Sequence, residues 1–246
     1  KPTPLPFTEP ASRWAKVDAK PDSGQDATAA IEAAFASKAK VIYFEHGTYH
    51  ISKNIIVPRH VERIVGMGAT LKRLPGSKLS QALGMFRAQN NSHPLTIEKL
   101  TFDNTGQGLQ VAVEAIGSEP LVLRDVLGHG AVILDRKAKA GEAYLENVAG
   151  GLLKFKGEAP VFAHQINTEG STSPRISVEG APIKIVGLKT ERPQGTVRVS
   201  SGGKADILGA FNYPVLEHDP TIVPYVCVDG DKPGQDSELY VSGVIH

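Results

Sequence analysis

LTIEKL, residues 95–100, sets Leu95, Ile97 and Leu100 at the first, third and sixth places of a six-residue unit. The same apolar-x-apolar-x-x-apolar pattern recurs in LVLRDV (121–126), AYLENV (143–148), VFAHQI (161–166), IKIVGL (183–188) and ADILGA (205–210). The unit starts lie 26, 22, 18, 22 and 22 residues apart. A second series of apolar pairs interleaves with the first: Val111/Val113, Val132/Leu134, Leu153/Phe155, Ile176/Val178, Val197/Val199 and Val226/Val228. Two series with a shared period near 22 residues describe a chain that coils once per period. Each coil then carries short strands whose alternate side chains point inward. Turn residues collect between them, as in GEAP, STSP, ERPQG and SSGG. No part of the repeat has a 3.6-residue period, which excludes a helical solenoid. A β-sandwich also has regularly spaced short strands, but it has no reason to hold one pattern in phase through six units. The spacing predicts an all-β parallel β-helix, in which each inward Val or Leu contributes about 1.5–3 kcal/mol.

Upstream, VIYFEHGTYHIS (41–52) reads as the first coil, two β-rich runs turned at Gly47. Before it, Asp26 is an N-cap candidate for a helix over about 26–38, with Ala30, Ile31, Ala34 and Phe35 on one face. A lone amphipathic helix at the start of a β-rich chain is expected to cap the open core end. Residues 1–13, with Pro2, Pro4, Pro6 and Pro10, read as an extended arm. A single β-helix domain is expected over 14–246, with coils from about 41 onward. SELYVSGVIH (237–246) keeps a strand pattern without a polar cap, so the open C-terminal end is expected to be covered by further chain or by an oligomer partner.

Composition narrows the function classes. With 27 Lys and Arg against 26 Asp and Glu, no net field favours nucleic acid or an anionic membrane. No apolar run approaches the roughly 20 residues of a membrane helix. Cys227 is the only cysteine, so no internal disulfide can form.

Two sets of residues carry a family resemblance. GQDATAAIEAAFASKAKVIYFEHGTYHIS (24–52) and IIVPRHVERIVGMGATL (55–71) resemble the N-terminal segment of pectate-lyase-superfamily proteins, which are right-handed parallel β-helices. PVFAHQINTEG (160–170) and IKIVGLKTERPQGTVRVSSGGKADILGAFNYP (183–214) resemble relatives of family 55 β-1,3-glucanases. The resemblance implies a pectin-lyase-like solenoid, secreted or periplasmic, that acts on a polysaccharide or oligosaccharide. A glycoside hydrolase is the first expectation. A polysaccharide lyase, with calcium as its cofactor, and a non-catalytic glycan-binding or structural module are the alternatives. The hydrolase needs no cofactor.

Outward residues at equal places in successive units should form columns one strand spacing apart, about 4.7–4.9 Å. One column collects Asp103, His129, Gly151, Glu169, Glu191 and Tyr213. Glu169 and Glu191 fall on adjacent coils, and a retaining glycosidase needs two carboxyls roughly 5–5.5 Å apart. They are the catalytic candidates. Asp103, Arg124, His129, His164 and Tyr213 are the substrate-binding candidates. A second column, Glu98, Arg124, Glu146 and His164, alternates in sign and reads first as a cross-strand ion-pair ladder. Gly128-His129-Gly130 is similar to the Gly-His-Gly motif of polygalacturonases, but a tripeptide with two glycines reads first as a turn. No metal site is expected. His46 and His50, four apart on a strand, stand about 13 Å apart, too far to share one ion.

Overall fold

The computed structural model describes residues 10–89, 92–108, 110–169, 174–191, 196–213, 226–228 and 236–245. Every strand pairing among them is parallel, and the strands join into one sheet that winds into a β-solenoid of about 7 turns with one short helix. The repeat units stack in register. Leu95 pairs with Leu121, then Ala143, Val161, Ile183, Ala205 and Leu239 follow in one column. The third place runs Ile42, Ile64, Ile97, Leu123, Leu145, Ala163, Ile185 and Ile207, all at most 6% exposed.

The sixth place should not face inward at all. Along a continuous strand, residues one and three share a face and residue six lies on the other. The chain solves this at the fifth place, where one residue turns into the left-handed region. Lys99, Asp125, Asn147 and Gln165 have φ of 54°, 52°, 52° and 55°, and Gly187, Gly209 and Gly243 continue the row at 78°, 72° and 69°. The corner rotates the strand, so Leu100, Val126, Val148, Ile166, Leu188 and Ala210 return to the core, each at most 2% exposed. A non-glycine residue in this conformation costs roughly 1–2 kcal/mol. Each turn recovers more than that from the apolar side chains buried on both sides of the corner.

The second series stacks as expected over most of its length. Val111 pairs with Val132, Ile176 with Val197 and Val197 with Val226. Between the second and third pairs the register slips: Leu134, not Val132, pairs with Leu153, and Phe155 faces Arg136. The glycines at 150 and 151, both in the left-handed region, mark the slip. Arg136, two residues after Leu134 on the same strand, also faces inward and is fully buried, and its guanidinium donates to the carbonyls of Gly141 (3.1 Å), Lys156 (2.9 Å) and Ala159.

The helix spans Thr28–Ala36 and lies over the first turns, with Ile31, Ala34 and Phe35 buried and Phe35 set 6.0 Å from the Phe86 ring. Asp26 sits just before the cap position, held by Ala27, and accepts hydrogen bonds from the Thr28 amide (2.9 Å), the Thr28 hydroxyl and the Ser52 hydroxyl. It ties the helix start to the first coil. The predicted arm differs as well: Ala11–Arg13 is a 3-10 turn, and Ala15–Lys16 adds a short strand beside Val41–Tyr43. Residues 1–9 lie outside the described residues.

The left-handed corner makes a direct prediction. A Cβ at Gly187 would meet nothing nearer than 3.8 Å, so Gly187→Ala tests conformation alone. It should destabilise the fold by about 1–2 kcal/mol in urea unfolding, whereas Gln165→Gly at the same place one turn earlier should be neutral or stabilising. Equal effects from the two substitutions would show that the corner is not the constraint.

Candidate functional site

The corner divides the outward residues between two faces. Places two and four lie before it, and places seven to nine after it. The predicted site residues therefore do not form one cluster. Arg124 and His164 stand on the first face; Asp103, His129, Glu169 and Glu191 stand on the second.

On the first face Arg124 belongs to a ladder of alternating charge. Arg63 donates its Nε to Glu98 (2.8 Å), Arg124 lies 3.5 Å from the same carboxylate, and Arg124 Nε donates to Glu146 (2.9 Å). Glu98 is 1% exposed, and its burial is tolerable because two guanidinium groups flank it. His164 follows in register after Glu146 and is exposed.

On the second face Asp103 and His129 pair in register. Asp103 accepts from Lys72 Nζ (2.8 Å) and from the Thr105 amide (2.9 Å), while His129 is exposed. Burial acts most strongly on Asp103 and pushes its pKa up, but Lys72 and the Thr105 amide and hydroxyl together outweigh it and hold the carboxyl at about 2. The register slip at Gly150 and Gly151 follows, so this pair does not continue in phase to Glu169.

Glu169 and Glu191 do come together. Lys189, on the strand Pro182–Glu191, reaches Glu169 at 2.7 Å and also donates to Glu191, so carboxylates from successive turns meet on one ammonium. Asn167 donates to Glu169 as well (2.8 Å). The Lys189 hydrogen bond is the main cause that lowers the Glu169 pKa; burial opposes it and Asn167 assists. Burial is the largest influence on Lys189 and disfavours its charge, yet the two carboxylates outweigh it and raise its pKa. Behind the cluster the core is polar, with Thr168 and Thr190 fully buried and in register. Tyr213 pairs with Glu191 through its backbone, and its side chain lies outside the described residues.

Beside the cluster runs a shallow groove of about 440 Å³. Asn147, Gln165, Asn167, Lys189 and Phe211 line it, and the glycines of the corner form its floor. Phe211 is 41% exposed. The column spacing in the sequence singles out the two glutamates but not Lys189 or Asn167, which stand two residues earlier in each turn. The Lys-Thr-Glu and Asn-Thr-Glu spacing was the available signal, since residues two apart on a strand share a face. Among the described residues, no group of three or more His, Cys, Asp or Glu side chains gathers to hold a metal ion. No described helix is long and apolar enough to cross a membrane.

Residues 15–119 match the family model for rhamnogalacturonase A/epimerase, pectate lyase-like. That match supports the pectate-lyase-like β-helix superfamily for this chain, and Asp103 lies inside the matched segment while Glu169 and Glu191 lie beyond it. No curated protein matches the sequence. Among solved structures, ORF18 of Geobacillus virus E2 is similar at 14% identity and a TM-score of 0.47, over 95% of this chain and 62% of that one. Tailspike protein 3 of bacteriophage CBA120 is similar at 12% identity and a TM-score of 0.40, over 97% of this chain and 62% of that one. The chain thus spans less than two thirds of the length of either protein.

The Asp103 contacts predict an acid response. A carboxyl with its folded pKa depressed to about 2 stabilises the fold above its unfolded pKa and loses that contribution as pH falls from roughly 4 through 2. Lys72→Met should move the Asp103 titration back toward the ordinary range, as read by NMR of the carboxyl carbon. It should also shift acid unfolding to higher pH. An unchanged titration would show that Lys72 does not hold the charge.

Proposed function

We propose that the chain is a carbohydrate-active β-helix that engages a polysaccharide at the Glu169–Lys189–Glu191 cluster, and that hydrolysis of a glycosidic bond is the reaction there. The observation that carries this reading is the convergence of two carboxylates from successive turns on one ammonium, beside a groove with an exposed phenyl ring and side-chain amides. A sugar presents hydroxyls that need such donors and acceptors, and a C–H face that packs on an aromatic ring.

The roles follow from the charges. Glu169, held ionised by Lys189 and Asn167, is the nucleophile, attacking the anomeric carbon to form a glycosyl ester as the glycosidic C–O bond breaks. Glu191 donates a proton to the departing oxygen, then takes one from the water that cleaves the ester. For this, Glu191 must be protonated when the sugar binds, which requires Lys189 to swing toward Glu169 or a substrate hydroxyl. A secreted or periplasmic location fits a polysaccharide substrate.

A second reading, glycan binding without cleavage, is favoured by one observation: Lys189 bridges both carboxylates, and a carboxylate paired with an ammonium is not a ready acid. The lyase reading has less support, because Arg124, its candidate base, stands between Glu98 and Glu146.

A panel of polysaccharides from β-1,3-glucan through polygalacturonate to alginate separates the readings, with reducing ends and absorbance at 235 nm read together. Hydrolysis yields reducing ends without absorbance, and Glu169→Gln or Glu191→Gln should then lower the rate by at least about 100-fold. Absorbance with the reducing ends would mean β-elimination. Binding without either signal would establish the non-catalytic reading, and full activity in both variants would remove the cluster from the chemistry.

A further inference from the structure

The first face of the solenoid carries a second groove that the cluster does not use. Its volume is about 750 Å³, within the usual range for ligand sites of roughly 300–1,000 Å³. Its floor is the column at place two of the repeat, Phe162, Lys184, Asp206 and Tyr240, each in register with the next, and Tyr144 precedes Phe162 in the same column outside the groove. Pro160 and Pro182 form one wall, and the Lys204–Glu238 ion pair (2.6 Å) closes the rim at the other end.

Three features of this column belong together. Phe162 is 37% exposed and Tyr240 is 59% exposed, large rings left open on a strand face. Phe162 does not swing freely, because its ring stacks on Tyr144 with centroids 5.5 Å apart and planes 9° from parallel. Between the two open rings stand Lys184 and Asp206, both exposed and neighbours in register, and among the described residues neither is engaged in an ion pair. Most other outward charges in the stacked turns are paired, including Lys99, Asp125, Arg124, Lys189 and Lys204. An available donor and an available acceptor, bracketed by two ring faces, are left free for something else.

We infer that this column is a binding site for an extended, uncharged hexose oligosaccharide lying along the solenoid axis. Phe162 and Tyr240 stand three strand spacings apart, roughly 14–15 Å. One pyranose ring of a linked chain covers close to one strand spacing, so a chain of about four rings stacks at both ends while Lys184 and Asp206 meet the hydroxyls between. The opposite charges of Lys184 and Asp206 cancel, which suits a neutral sugar over a polyanion. The pre-stacked Phe162 reduces the ordering cost on binding. The site lies across the left-handed corner from Glu169 and Glu191, so it can hold a chain whether or not that cluster cleaves one.

The test is isothermal titration of the full chain with laminari- and cello-oligosaccharides of two to six units. Binding should appear with four or more units and be lost with the disaccharides. Phe162→Ala and Tyr240→Ala should each weaken the hexasaccharide by tenfold or more, Tyr240→Phe should retain it, and Lys53→Gln, which touches neither groove and pairs with Glu32 on the helix, should leave it unchanged. Circular dichroism and the melting temperature of each variant check that the fold is intact. The inference is overturned if neither hexasaccharide binds, if the disaccharides bind as tightly as the hexasaccharides, or if folded ring variants keep full affinity. It is overturned equally if sedimentation shows a dimer that Phe162→Ala dissociates, since the face would then be occupied by a second copy. Loss of binding in Glu169→Gln with the ring variants unaffected would place the glycan at the cluster alone and leave the proposed function standing.

Discussion

A single backbone conformation, the left-handed residue at the fifth place of each unit, holds the solenoid to its shape. It converts an odd spacing between apolar residues into one continuous core. Without it, Leu100, Val126, Val148, Ile166, Leu188 and Ala210 would point to solvent, and each turn would lose part of its burial. The choice of residue changes along the axis. In the earlier turns Lys99, Asp125 and Asn147 take the strain and compensate through side chains, with Lys99 donating to Asp125 (3.0 Å) and Asn147 donating to Asp125 (2.8 Å). In later turns glycine takes the place at no steric cost and gives up those contacts.

That exchange has a consequence for the surface. Where the corner is built from glycine, no side chain stands over it, and the groove beside Phe211 and Lys189 opens. The part of the corner best placed for a ligand is thus the part with no side-chain ladder of its own. On the first face, the charge ladder of Arg63, Glu98, Arg124 and Glu146 gives way beyond His164 to Val186 and Leu208, and the aromatic column lies alongside. Both changes fall in the same turns, which is where polar and aromatic groups become available.

Ion pairing decides what the cluster can do. One lysine between two carboxylates from successive turns lowers the cost of bringing like charges together. It also fixes Glu169 in its ionised form, the state a nucleophile needs and a proton donor does not. A β-helix brings such groups into contact readily, because every outward side chain has a neighbour one strand spacing above and below.

The fold was legible in the sequence because a solenoid repeats one local rule. The apolar places in LTIEKL and its five relatives, and their common phase, suffice to predict parallel stacking, and the columns at places one, three and six are buried as that pattern requires. The candidate pair Glu169 and Glu191 was also legible, since place and period bring them to adjacent turns. Other features depended on distances the pattern does not carry. The register slip at Gly150 and Gly151, the turn of Asp26 from helix cap to tie between helix and coil, and the corner that puts Arg124 and Glu169 on different faces are set by packing between turns. The sequence by itself determined which residues face the core, because the apolar places recur in one phase from unit to unit, the sixth included, although simple alternation would have put that place outside. Only the tertiary structure decided which outward groups meet, because a lysine's reach and a register slip between neighbouring turns change the contacts while the apolar places stay where the repeat puts them.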